Sequence, residues 1–539
     1  MKKLLLVAVC LSIAVCSFGQ EKKPRLIVGI VVDQMRQEYL YRFQERFGDD
    51  GFKKLINDGF MFKNAHFNYV PTYTGPGHAS VYTGTTPGVH GIISNNWYDK
   101  VSGKSIYCAS DETEQTVGST SDNGQMSPRN LLTTTITDEL RLSTQMRSKT
   151  IGVSLKDRGA IFPAGHLGDA YWYDTKTGDF ITSTYYTEEL PAWVKKFNKR
   201  RLAEKYLSGK WETLYDIKTY TASGPDKSPY EGKVAGGHEA VFPYDLSEHK
   251  KKFGRISSTP FGNDLVKDMA LATLEAEQLG KGDETDFLSV SFSSTDYVGH
   301  HFGPNSVELE DTYLRLDKNI ATIIDAMDDQ VGKGNYVIFL TADHAVADVP
   351  QYLMDNNVPA GYFQINLPKD VTQALNERYG ESEWVENVSN FQIFLNHDVV
   401  AEKKLLLHDV QEFVAEFIMK YDGIAESYPA YAIGRMDYNT KGIKGLLARG
   451  YHQKRSGDIL YSHQPGWFPS SNNTGSTHGS AFTYDTNVPM LWYGAGIKSG
   501  ESVKFHPITD IAPTISAMLE MKMPNGAIGG NPLEELFED

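Results

Sequence analysis

Asp343 and His344 follow the apolar run Tyr336-Val337-Ile338-Phe339-Leu340 after Thr341-Ala342. A continuous run of this kind reads as a strand covered on both faces. A carboxylate and an imidazole just beyond it therefore sit at the rim of a sheet, where open α/β folds bind ligands. Both are metal-ligating side chains. The pattern recurs along the chain. Leu26-Ile27-Val28-Gly29-Ile30-Val31-Val32 runs into Asp33, Thr150 to Leu155 runs into Lys156, and Phe287 to Phe292 leads to Asp296. His300 follows Asp296 by four residues, which places both on one face of a helical turn and within reach of one ion; His301 is the competing imidazole. His478 lies in Gly475-Ser476-Thr477-His478-Gly479-Ser480, among small residues that permit close approach.

A hydroxyl completes the set. In Pro71-Thr72-Tyr73-Thr74-Gly75-Pro76-Gly77-His78-Ala79-Ser80, Gly and Pro mark a sharp turn before a short helical stretch that runs to Gly84. Thr74 then sits at a helix N-terminus, where backbone N–H groups favour anions. A threonine hydroxyl is a poor nucleophile at neutral pH and needs a base or a metal. No Gly-x-Ser-x-Gly elbow is present, so metal activation is the simpler account. Lys156 and Arg158 are two apart on a strand-like segment, which puts them on one side of it and aims both cations at the same rim.

Residues so distant in sequence can meet only on a folded sheet. The alternation of β-branched runs with helical patterns predicts an α/β fold: a mostly parallel central sheet flanked by helices. Val307, Leu309, Tyr313, Leu316, Ile320, Ile323 and Met327 recur at helical spacing, with Asn305 placed to cap and Glu308 three residues on. Val488 to Gly494 reads as a further strand. Two regions interrupt the alternation, about 170–255 and about 352–475, and are expected as cap insertions over the sheet rim. The cluster Lys195, Lys196, Lys199, Arg200 and Arg201 reads as a solvated helix face. With no internal repeat and no low-complexity linker, residues 20–539 are expected as one catalytic domain with insertions.

The chain opens with Lys2-Lys3, an apolar stretch from Leu4 to Cys16, and Ser17-Phe18-Gly19. This reads as a signal peptide over 1–19, too short to span a bilayer, and predicts an exported, periplasmic protein. Lipidation at Cys16 is the alternative, disfavoured by the bulk of Val15. With Cys10 and Cys16 removed only Cys108 remains, which excludes an intramolecular disulfide. The formal charge of −15, made more negative by loss of Lys2 and Lys3, argues against nucleic acid as a partner. No transmembrane segment and no obligate protein partner are read from the sequence.

Taken together these segments resemble the alkaline phosphatase superfamily over most of the mature chain. The likeness is strongest to the branch that holds nucleotide pyrophosphatases/phosphodiesterases and phosphate-irrepressible bacterial alkaline phosphatases. The motifs are the acid ending the first strand, Pro-Thr-x-Thr-x-Pro-x-His, Asp-x-x-x-His, Asp-His and Thr-His-Gly. The resemblance implies two zinc ions about 4 Å apart. Asp33, Thr74, Asp343 and His344 would hold one, and Asp296, His300 and His478 the other. It implies Thr74 as nucleophile through a phosphothreonine. It also implies Asn95, by its offset to Trp97-Tyr98 and with Asn96 the neighbouring alternative, together with Lys156 and Arg158 as phosphate-binding groups. Since the diesterases lack the Lys/Arg pair, the expected activity is hydrolysis of small phosphate monoesters. A diesterase or nucleotide pyrophosphatase is the alternative. A sulfatase lacks support because no Cys/Ser-x-Pro-x-Arg segment is present. An inactive exported binding protein would not need all seven ligands.

Overall fold

The computed structural model describes residues 23–233, 239–528 and 530–537. The expected signal peptide and Cys16 lie outside them.

The strand Leu26–Val32 is buried at every position, as are Asp286–Phe292 and Tyr336–Thr341. Leu26–Val32 lies between the other two and runs parallel to both, with Leu26 opposite Asp286 on one side and Tyr336 on the other. Strands that start in step end in step. Asp33, the turn before Asp296, and Asp343 therefore leave the sheet at one edge. Thr150–Ser154 joins in parallel beyond Asp286–Phe292, with Ser154 opposite Ser291, and delivers Lys156 to the same edge. Asp169–Asp174 is the fifth parallel strand.

The sheet has eleven strands among the described residues. The expected parallel character belongs to its centre; toward both margins strands pair antiparallel, except that Gly500–Pro507 runs parallel to Phe60–His66. Met490–Gly494 pairs antiparallel with Tyr336–Thr341, Met490 facing Thr341. An antiparallel neighbour begins where the parallel strands end, so the segment before it, with His478, arrives at the same edge as Asp33 and Asp343. The expected strand Val488–Gly494 is broken at Pro489, which has no N–H to give to a ladder. Asn487–Val488 pairs instead with the end of Phe60–His66.

Helices cover the faces. Val307–Gln330 turns Leu309, Tyr313, Leu316, Ile320, Ile323 and Met327 into the core. Its cap is Ser306, whose Oγ accepts from Leu309 N–H at 3.2 Å, and not Asn305 as expected. Asn305 lies one residue too early and donates to Asp348.

The first interruption starts later than expected. Residues 170–183 belong to the central sheet, as the strands Asp169–Asp174 and Asp179–Ser183. The segment that follows buries Val194, Phe197 and Trp211 in the main core. Its helix Ala192–Asn198 leaves Lys195 and Lys196 exposed.

Within the second interruption, Val385–Ser389, Gln392–Leu395, Ile459–His463 and Ile424–Pro429 form a separate antiparallel sheet. It encloses an apolar cluster of its own, with Val371, Leu375, Trp384, Val410, Val414 and Ile418. A turn of this unit, Asn390-Phe391, comes down on the main body, where Asn390 Oδ1 accepts from Ser94 Oγ at 2.8 Å and Asn390 Nδ2 donates to Asn96 O at 2.7 Å. No described helix is long and apolar enough to cross a membrane.

Candidate active site

Thr74 is the first residue of the helix Thr74–Thr83, which Gly84 ends in the left-handed region at φ +65°. This helix packs directly on the end of the strand Tyr336–Thr341: a Cβ on Gly77 would fall 2.1 Å from Asp343 O, so only glycine fits there. His78 ties the helix to the sheet, donating from Nδ1 to Thr74 O at 2.9 Å, with Nε2 at 2.9 Å from Ser291 Oγ. The Thr74 hydroxyl is buried and lies 3.4 Å from His344 Nε2.

Two groups of metal-ligating side chains flank it. Asp33, Asp343 and His344 offer atoms within 4.8 Å of one another, as do Asp296, His300 and His478. The structure thus brings together the six Asp and His residues singled out from sequence, in the two expected sets. Of the adjacent imidazoles it is His300 that meets Asp296, at 3.1 Å. His301 points elsewhere and packs against Gly232.

The donor chemistry fits divalent metal ions. Asp33 Oδ1 and Asp343 Oδ2 are buried without a hydrogen-bond partner, a state that is costly for a carboxylate unless a cation meets it. Each imidazole uses Nδ1 to donate to a backbone carbonyl: His300 to Ser476 O at 2.7 Å, His478 to Thr72 O at 2.7 Å and His344 to Ala345 O at 2.9 Å. That fixes the tautomer of each neutral ring with Nε2 as the ligating nitrogen; at His300 burial is outweighed by Asp296, which faces its Nε2 at 3.1 Å and holds the ring above its ordinary value. Burial pushes His344 down to about 4, and burial with the charges of His344 and His300 pushes His478 well below the usual range. Both rings are therefore neutral, as ligation requires. The two rings stack with centroids 3.5 Å apart. Burial raises Asp33 to about 7, helped by Asp296 and Asp343, and raises Asp343 to about 6. Burial acts the same way on Asp296, but the charges of His300 and Lys156 outweigh it and hold that carboxyl well below its ordinary value.

Lys156 joins the two groups. Its ammonium lies 2.6 Å from Asp33 Oδ2 and 2.7 Å from Asp296 Oδ2, and 5.0 Å from the centre of the Tyr297 ring. The strand geometry expected for Lys156 and Arg158 does not hold. Lys156 caps the helix Asp157–Ala164 and Arg158 lies in its first turn, so a turn and not a pleat separates them. Arg158 Nη1 donates to Tyr107 Oη at 2.9 Å, while Tyr107 donates to Asp157 Oδ1. Asn95, and not Asn96, reaches the helix that Thr74 begins: its Oδ1 accepts from Gly75 N–H at 2.7 Å. With the amide oxygen engaged, the Asn95 nitrogen is the end left to donate.

Sequence reasoning missed Tyr107 and Gln34. Gln34 donates from Nε2 to Asp296 Oδ1 at 2.8 Å and from its backbone N–H to Asp343 Oδ1 at 3.2 Å. Neither residue carries a spacing signal.

A family model described as type I phosphodiesterase / nucleotide pyrophosphatase matches residues 27–484, a span that contains every site residue from Asp33 to His478. The chain belongs to this family. It is 44% identical over 519 residues to alkaline phosphatase PafA of Elizabethkingia meningoseptica, covering 96% of this chain and 95% of that protein. It is 44% identical over 509 residues to alkaline phosphatase PhoV of Synechococcus elongatus, covering 94% and 92%. The crystal structure of wild-type alkaline phosphatase PafA superposes with a TM-score of 0.92 at 44% identity, over 96% of this chain and 99% of that one. The α/β architecture with its large central sheet is the one these family members share.

Proposed function

We propose that the chain is an exported metal-dependent phosphomonoesterase, an alkaline phosphatase, acting on small phosphate monoesters. Asp33, Thr74, Asp343 and His344 would hold one divalent ion and Asp296, His300 and His478 a second, with zinc matched by a mixed Asp/His donor set without thiolate. Such ions would supply positive charge that lowers the pKa of the Thr74 hydroxyl and stabilises the departing ester oxygen.

The chain's own groups account for the rest. Thr74 Oγ1 attacks phosphorus, a P–O bond forms to threonine and the bond to the alcohol breaks. Water then attacks the phosphothreonine, releasing phosphate and restoring the hydroxyl. Lys156, Arg158 and the Asn95 amide nitrogen meet the non-bridging oxygens, and backbone N–H groups at the start of Thr74–Thr83 add to them.

The observation that carries the monoesterase reading is the buried Lys156 ammonium between Asp33 and Asp296. It stands in a chain that matches curated alkaline phosphatases over nearly their whole length. The family description also names phosphodiesterases, so the deciding experiment compares an aryl phosphomonoester with its methyl diester. Faster hydrolysis of the monoester is expected, abolished by dialysis against a chelator and restored by zinc. A faster diester, or activity indifferent to metal, overturns the reading.

A further inference from the structure

Gln34 follows Asp33 at the end of Leu26–Val32 and is 2% exposed. Its backbone has φ +67°, a conformation uncommon for any residue but glycine. That conformation turns its N–H onto Asp343 Oδ1 at 3.2 Å while the side-chain amide reaches Asp296 Oδ1 at 2.8 Å. A carboxylate from each of the two ligand groups is therefore held by this one residue.

The consequences differ at the two ends. With Asp343 Oδ1 engaged, the buried and unpartnered Oδ2 is the oxygen left for ligation. At Asp296, Oδ2 faces Lys156 at 2.7 Å. Oδ1 faces His300 Nε2 at 3.1 Å and His478 Nε2 at 3.7 Å, and this is the oxygen the Gln34 amide fixes. Gly299, on the helix that bears Asp296 and His300, makes room for the amide: a Cβ there would fall 1.9 Å from Gln34 Oε1.

We propose that Gln34 is a positioning residue: its side-chain amide sets the ligand oxygen of Asp296, and its backbone N–H sets that of Asp343, so the two metal groups are aligned by one residue. The inference rests on reading the two groups as metal centres. Donors to ligating carboxylates hold ligand orientation, and losing one weakens metal affinity by about 10–100-fold.

Q34G separates the two ends. Glycine adopts φ +67° freely and keeps the backbone N–H, so only the tie to Asp296 is lost. In zinc-buffered solutions, with bound metal counted by mass spectrometry, wild type is expected to hold two equivalents. Q34G should show one site unchanged and the other weakened by about 10–100-fold. G299A, which displaces the amide, should weaken the same site, and the double variant should add nothing further. Two unchanged sites in Q34G, or both weakened equally, overturn the role of Gln34 while leaving the metal centres standing. A wild type that takes up no metal overturns the functional reading itself, and this inference with it.

Discussion

The Thr74 hydroxyl lies 3.4 Å from Nε2 of His344, close enough to suggest an acid–base pair, yet the imidazole is unsuited to that task. Burial pushes it down to about 4, so at neutral or alkaline pH it does not retain a proton taken from threonine. Its Nδ1–H is committed to Ala345 O. Asp33 and Asp343 offer atoms within 4.8 Å of His344, and under the proposed function the contact is that of two groups turned toward one ion.

Thr74→Ala should then separate binding from turnover. The six Asp and His ligands remain, so metal content measured by mass spectrometry is expected to stay at the wild-type level. Phosphatase activity should fall by several orders of magnitude, because no nucleophile is left at the helix N-terminus. Thr74→Ser, which restores a hydroxyl, should recover much of the loss. Full activity in the alanine variant would exclude the covalent route.

A second prediction concerns the cations. Lys156→Ala with Arg158→Ala should lower kcat/KM for an aryl phosphomonoester far more than for the methyl diester, since the monoester carries the extra charged oxygen. Tyr107→Phe tests the same point indirectly. It removes the hydroxyl at 2.9 Å from Arg158 Nη1 and leaves the guanidinium present but unanchored. A smaller monoesterase loss, about tenfold, is expected from a hydrogen bond to a charged group. Equal losses on the two substrates would refute the assigned role.

Much of the rim was legible because it is written by strands. A run such as Leu26 to Val32, apolar at every position, announces a doubly covered strand, and the polar residue after it announces the rim. The registers Leu26–Asp286 and Leu26–Tyr336 then bring Asp33, Asp296 and Asp343 to one edge. What sequence did not show depends on local turns. Lys156 and Arg158 fall at a strand-to-helix junction, where a period of two no longer applies. The helix cap moved from Asn305 to Ser306 because adjacent polar residues compete for one position. Strands Asp169–Asp174 and Asp179–Ser183 are rich in Tyr, Trp and Asp and resemble an insertion until their pairing with the sheet is seen. Gln34 owes its role to a backbone turn of φ +67°, which no pattern of residue types encodes.

A last prediction concerns stability away from the ligand groups. Glu231 is 7% exposed, and its Oε2 has no hydrogen-bond partner among the described residues. Burial raises its carboxyl far above the ordinary 4.5, and the charges of Glu308 and Asp226 push it the same way. Glu308, with Tyr244 on its Oε1, is also raised by burial. A raised carboxyl keeps its proton in the folded state where the unfolded chain has released it. The folded state thus binds more protons above pH 4.5, and stability falls as pH rises from there toward the folded value. Glu231→Gln cannot ionise and escapes that loss. Thermal melts should place the variant close to wild type at pH 5 and above it at pH 9. The segment at stake anchors next to His300, through Gly232 N–H to His301 O at 2.8 Å and Gly224 N–H to Asn305 O at 2.8 Å. The stabilised variant should therefore also resist proteolysis of that segment at pH 9. If the gap between the two proteins does not widen with pH, Glu231 is not held protonated by its burial.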